Sequence, residues 1–128
     1  MIVDASALVA VILGEPDAEA YLRAMAGAPT LSVSAATLTE ALIVVEAQQG
    51  GEAAADLGAL LAELEAEVVG FDEVQAEAAA SAWRRFGKGR HPAGLNLGDT
   101  FSYALASTRA EPLLFKGRDF AATDIAQA

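Results

Sequence analysis

Apolar residues fall in short blocks along the chain, some continuous and some at helical spacing. Met1–Val3 reads as a short buried strand and Ala5–Leu13 as a helix, with Asp4 at the junction where an N-cap belongs. Gly14–Pro16 break the pattern before a second helix over Asp17–Ala26. Thr30–Val33 reads as a strand, and Ser34 caps a helix that runs to about Gln49. After a Gly50-Gly51 turn, Leu57, Leu60, Leu61 and Leu64 recur at i, i+3, i+4 and i+7, a single apolar helical stripe. Glu67–Phe71 then reads as a strand and Asp72–Phe86 as a helix. Gly87–Leu97 is a Gly- and Pro-containing loop, Gly98–Arg109 a helix and Pro112–Phe115 a strand; the tail from Ile125 adds a last edge strand. Strands alternating with helices, joined by short connections, predict an α/β fold with a parallel sheet covered by helices.

Composition narrows what such a fold can do. At 128 residues, 54% of them hydrophobic, the expectation is one domain with a real core. The formal charge of −10 excludes a sequence-independent grip on nucleic acid through overall positive charge. With no cysteine, disulfides, thiolate metal sites and cysteine nucleophiles are excluded, and a reducing, cytoplasmic setting fits. His91 is the only histidine, so paired-histidine catalysis is impossible. No apolar run reaches membrane-spanning length, and the first residues lack a basic leader, so no membrane partner is expected.

The few cations are unevenly placed. No Lys or Arg lies between Arg23 and Arg84, a stretch that holds ten acids. Arg84, Arg85, Lys88 and Arg90 then arrive together, with His91 next. Arg84 and Arg85 suit the C-terminal end of a helix dipole. Lys88 and Arg90 lie past that helix, so the cluster is the surface best able to face phosphate, and His91 is a loop residue within reach of one. Trp83 and Phe86 read as core or dimer contacts rather than base-stacking groups.

In an open parallel sheet, ligands collect outside the carboxyl ends of the strands. Asp4 follows the first strand, Glu40 lies in the helix after the second, Asp119 follows the last, and Asp99 opens the helix before it. Each has a structural reading: Asp4 as a cap, Asn96 with Asp99 as a helix start, Asp119 as a turn residue. Glu40 is harder to explain. Its helix is apolar nearly all round, predicting burial on both sides, and its helical neighbours offer no cation. Its partner is distant Lys116, Arg118 or a metal ion. Converging carboxylates repel unless a cation joins them, and oxygen-only ligands select Mg²⁺ or Mn²⁺.

The segments MIVDASALVAVILGEP, LSVSAATLTEALIVVE, LNLGDTFSYALA and PLLFKGRDFAATDI, in that order and spanning nearly the whole chain, resemble the PIN-domain ribonucleases, specifically the VapC-type toxins of type II toxin–antitoxin pairs. The resemblance implies a PIN domain over residues 1–128, a central parallel β-sheet with helices on both faces. It implies Asp4 and Asp99 as central metal ligands, Glu40 completing the cluster, and Asp119 holding a second metal or ordering water, with Asp124 the alternative tail acid. Ser6 and Asn96 would be polar supports at the rim. The implied reaction is Mg²⁺- or Mn²⁺-dependent hydrolysis of RNA to 5′-phosphate and 3′-hydroxyl ends, with Arg84, Arg85, Lys88 and Arg90 gripping the backbone. A VapB-type antitoxin and a homodimer are implied partners. The alternative is a PIN scaffold that binds antitoxin or RNA without cutting.

Rival motifs fail on specific residues. A haloacid-dehalogenase phosphatase needs an Asp where Ser6 stands, and a receiver domain lacks its mid-chain strand-end Asp. No GxxxxGK[ST], GxGxxG or GxSxG occurs.

Overall fold

Four short parallel strands form one sheet: β1 (Ile2–Val3), β2 (Ser32–Ser34), β3 (Glu67–Val69) and β4 (Leu113–Leu114). The computed structural model describes residues 1–128. Six helices connect and cover the strands: α1 (Ala5–Leu13), α2 (Ala18–Gly27), α3 (Ala35–Gln49), α4 (Gly51–Glu63), α5 (Glu73–Phe86) and α6 (Leu97–Arg109). A 3₁₀ turn, Asp119–Ala122, follows β4.

The strand alternation sorts the core into two layers. Val3, Val33 and Leu114 point to one face and pack with α1 to α4 in a cluster that includes Leu8, Val45 and Leu57. Ile2, Leu113 and Phe115 point to the other and pack with α5 and α6 through Ala82, Tyr103 and Leu105. Register agrees, since Ile2 pairs with Leu113 and Val3 with Leu114. Helices therefore cover both faces, and strands buried on both sides read as continuous apolar runs in the sequence.

Sheet order is β3-β2-β1-β4. The chain steps outward from β1 to β3, then returns past β1 to β4. The direction reverses between β1 and β4, which opens a crevice at their carboxyl ends. Side-chain caps start the helices around it. Asp4 accepts from Ser6 N at the start of α1, Ser34 from Ala36 N at α3, and Asn96 with Asp99 form a reciprocal capping box at α6.

Three expectations are corrected. The strand expected over Glu67–Phe71 ends at Val69, and Phe71 leaves the sheet to pack edge-on against Phe101 at 4.9 Å between centroids. The tail contributes a single bridge, Leu113 to Gln127, beside β4. Helix α3 is not buried on both sides: Thr37, Ala41 and Val45 are buried, but Ile43 is 62% exposed. No helix is long and apolar enough to cross a membrane.

Candidate metal centre

The crevice between β1 and β4 is an acidic cavity of 310 Å³, lined by Asp4, Ser6, Glu40, Asn96, Asp99, Lys116 and Asp119 among others. Each acid is delivered by a different element. Asp4 is the first residue past β1 and is buried. Its Oδ2 accepts from Ser6 N at 3.0 Å and Ser6 Oγ at 2.6 Å, and its Oδ1 accepts from Ser102 Oγ at 2.5 Å. Ser6 Oγ also accepts from Lys116 N at 2.9 Å, tying the end of β4 to the end of β1. Glu40 comes from α3, Asp99 from the first turn of α6, and Asp119 from the 3₁₀ turn after β4.

The capping and cavity readings hold together at two of these acids. Asp4 caps α1 and lines the cavity. Asp99 Oδ2 accepts from Asn96 N at 3.1 Å while Asn96 Oδ1 accepts from Asp99 N at 2.9 Å, so the capping box fixes the carboxylate at the cavity wall.

The cavity concentrates negative charge, and no protein cation pairs with its four acids. Burial pushes Asp99 up to about 7, against the Asn96 N–H, with the charges of Asp4 and Asp119 adding to the rise. Burial also raises Glu40, and the Asp4 charge raises it further. None of the four acids forms an ion pair. Lys116, a partner considered for Glu40, turns its ammonium to Glu15 at 2.5 Å and Asp17 at 3.0 Å instead.

This donor set suits a hard divalent cation. All four acids offer oxygen and no histidine or cysteine takes part. No three of these acids form a ready-made ligand cluster. Mg²⁺ needs none, because it keeps several waters and takes one or two carboxylates directly.

Asp124, the alternative tail acid, lies outside the cavity. Its carboxylate accepts from Tyr103 OH at 2.7 Å and Arg85 Nη2 at 2.9 Å, and those partners hold its carboxyl below the usual range. The same pair occupies Arg85, which also donates to Tyr103 OH at 3.1 Å. Arg84, Lys88 and Arg90 are exposed; Arg90 lies over the Trp83 ring, 4.7 Å from its centroid. Trp83 is not a core residue, being 45% exposed on an apolar groove that shares Asn96 with the acidic cavity and has Lys88 in its lining. Phe86 packs against Tyr103 and His91, whose Nδ1 accepts from Ala93 N at 3.0 Å.

Three residues of this centre escaped the sequence reading: Thr37, Ser102 and Gly98. Gly98 has no left-handed φ, so its role is space rather than backbone freedom. A Cβ there would overlap the Glu40 carboxylate, 2.7 Å from Cδ and closer still to Oε2. Gly98→Ala is therefore expected to push the Glu40 carboxylate aside. Binding of Mn²⁺ in the cavity should weaken by roughly tenfold or more, with the melting temperature little changed. A variant that binds Mn²⁺ as tightly as wild type would show that the position of Glu40 is unimportant.

Comparison with known proteins shows the family and the fold. A PIN domain family model matches residues 1–126, and the chain belongs to that family. Its relatives there are VapC ribonucleases. A Ribonuclease VapC from Mycolicibacterium smegmatis is 48% identical over 126 residues, covering 98% of each chain. Ribonuclease VapC30 from Mycobacterium tuberculosis is 45% identical over 98% of this chain and 96% of its own. Among solved structures, Mycobacterium tuberculosis VapC20, described as a sarcin–ricin loop cleaving toxin, shares the fold with a TM-score of 0.82 at 19% identity, covering 99% of this chain and 97% of that one. A toxin–antitoxin complex from Klebsiella pneumoniae shares it with a TM-score of 0.72 at 18% identity, over 96% of this chain and 92% of that one.

Proposed function

We propose that this chain is the toxin of a type II toxin–antitoxin pair and hydrolyses RNA phosphodiester bonds with Mg²⁺ or Mn²⁺ held by Asp4, Glu40, Asp99 and Asp119. The observation that carries the reading is the acidic cavity itself: four carboxylates at the sheet's switch point, none ion-paired and one pushed up to about 7. The cation, when bound, neutralises charge developing on the phosphate and makes hydroxide available near neutral pH.

The chain's own residues divide the remaining work. Asp4 is immobilised by three hydrogen bonds, so it presents a fixed oxygen to the ion. Asn96 uses its Oδ1 on Asp99 N, leaving its amide N–H groups for a ligand oxygen. Arg84, Lys88 and Arg90 supply the exposed positive charge that an otherwise acidic surface needs to hold RNA backbone. Arg85 serves there only if it releases Asp124.

Water is the nucleophile in this reading. The family implies hydrolysis rather than attack by the 2′-hydroxyl, and carboxylates gathered around a divalent cation are suited to activating water. Cleaved RNA should carry 5′-phosphate and 3′-hydroxyl ends, which ligation-based end mapping reads directly. Products ending in 2′,3′-cyclic phosphate would refute the mechanism.

A cytoplasmic location and two protein partners complete the proposal: a VapB-type antitoxin that blocks the cavity, and a second copy of the chain. Large apolar side chains left open to solvent support both contacts, with Leu97 73%, Val74 63% and Ile43 62% exposed. The toxin–antitoxin complex among the structural neighbours supports the antitoxin.

A further inference from the structure

Two buried hydroxyls lie directly behind the acidic cavity. Thr37 and Ser102 are both 0% exposed, and their oxygens are 3.1 Å apart. Ser102 Oγ is 2.5 Å from Asp4 Oδ1. A serine has a single hydroxyl proton, and the carboxylate can only accept. The Ser102 proton therefore goes to Asp4, and Thr37 must be the donor to Ser102. The direction of the chain is fixed: Thr37 to Ser102 to Asp4.

The arrangement departs from what helical hydroxyls do by default. Thr39, Thr100 and Thr108 each donate back to a carbonyl of their own helix. Thr37 and Ser102 reach across to another element instead. Their positions repeat a pattern. Thr37 lies one turn before Glu40 on α3, and Ser102 one turn after Asp99 on α6, so each shares a helix face with its acid. The hydroxyl bridge thus joins, at their base, the two helices that carry Glu40 and Asp99, and ends on Asp4.

A carboxylate offers about four acceptor positions. Asp4 Oδ2 uses two on Ser6, and Oδ1 uses one on Ser102. One position remains, on Oδ1, the oxygen that Ser102 holds. We propose that the Thr37–Ser102 pair is a positioning relay that aims the free lone pair of Asp4 Oδ1 into the cavity, so that Asp4 takes the divalent cation through that single oxygen. This rests on the reading of the cavity as a cation site.

The test is a Mn²⁺ titration of the metal-free protein, read by the paramagnetic resonance signal of free Mn²⁺, on wild type, Ser102→Ala, Thr37→Val, the double variant and Thr37→Ser. Each variant is first checked for native circular dichroism. Ser102→Ala should weaken Mn²⁺ binding by roughly tenfold or more, the scale of lost ligand orientation. Thr37→Val, similar in shape but without the hydroxyl, should weaken it less. Thr37→Ser should bind close to wild type, because it restores the donor. The double variant should bind no worse than Ser102→Ala, since the two hydroxyls act in series.

Variants that lose thermal stability yet bind Mn²⁺ like wild type would show the hydroxyls to be merely structural, and would overturn the relay while leaving the cation site standing. Additive losses in the double variant would overturn the series arrangement. A wild-type protein that binds no Mn²⁺ would overturn the cation site, and the relay with it.

Discussion

Asp99→Asn should abolish RNA cleavage and, in metal-free protein at pH 8, make the fold more stable. The activity side follows from charge. Asparagine keeps the shape and an oxygen that can still accept from Asn96 N, so the capping box at the start of α6 survives. What disappears is the negative charge beside Asp4 and Asp119 that a cation needs. Losing several kcal/mol of charge stabilisation in the transition state slows the reaction by roughly a thousandfold or more. The stability side follows from the same carboxyl. A group pushed up to about 7 by burial and like charges is unfavourable to ionise in the fold, and asparagine removes that cost. A variant that is inactive only because it is misfolded would show the opposite change in melting temperature. Unchanged cleavage would remove Asp99 from the mechanism.

The second expected result is a pH dependence that runs against the usual one for an acidic protein. Asp99 is raised from 3.8 to about 7, and Glu40 is raised from 4.5. A raised carboxyl binds its proton more tightly folded than unfolded. The stability it contributes is fully present below its unfolded value and is lost as pH rises through the folded one. The acids lowered by their partners, Asp17 beside Lys116, Glu67 beside Arg109 and Asp124 beside Tyr103 and Arg85, weaken the fold only in stronger acid. The proton of Asp99 is therefore lost between pH 5 and pH 8, above the range of those lowered acids. With solvent screening of a half-buried site, the loss of stability across that interval is about 1–2 kcal/mol, or roughly 5 °C in melting temperature. Added Mg²⁺ or Mn²⁺ should restore most of it at pH 8 and little at pH 5, where protons compete. Asp99→Asn should flatten both the slope and the metal response. Metal-free melting temperatures that rise from pH 5 to pH 8 would contradict this electrostatic account of the cavity.

Much of the fold was legible because its signals are local. Asp4, Ser34 and Asn96 announce helix starts, Leu57, Leu60, Leu61 and Leu64 mark one helix face, and the short apolar runs around Val3, Val33 and Leu113 read as strands buried on both sides. The acids of the cavity were legible because strand ends and helix starts are where a parallel sheet collects ligands. What escaped depends on distant pairing. That Asp124 belongs to Arg85 and Tyr103 is a contact between the tail, α5 and α6. That α6 comes close enough for a Cβ at Gly98 to meet the Glu40 carboxylate is likewise a contact between distant segments. Nothing local marks Ser102, and only its buried 2.5 Å contact with Asp4 gives it a role. Trp83 gave no sequence sign of being left beside an open groove.

The central claim is that the acidic cavity cuts RNA with a divalent cation. The most direct test is a map of new 5′-phosphate ends in total RNA, with antitoxin-free protein in Mn²⁺ or Mg²⁺ and in chelator, wild type beside Asp99→Asn. The account predicts discrete cut sites with wild type and metal, absent from the chelated sample and from the variant. No cuts by a folded, antitoxin-free wild-type protein in either metal, or equal cutting by Asp99→Asn, would contradict it and favour a PIN scaffold that only binds.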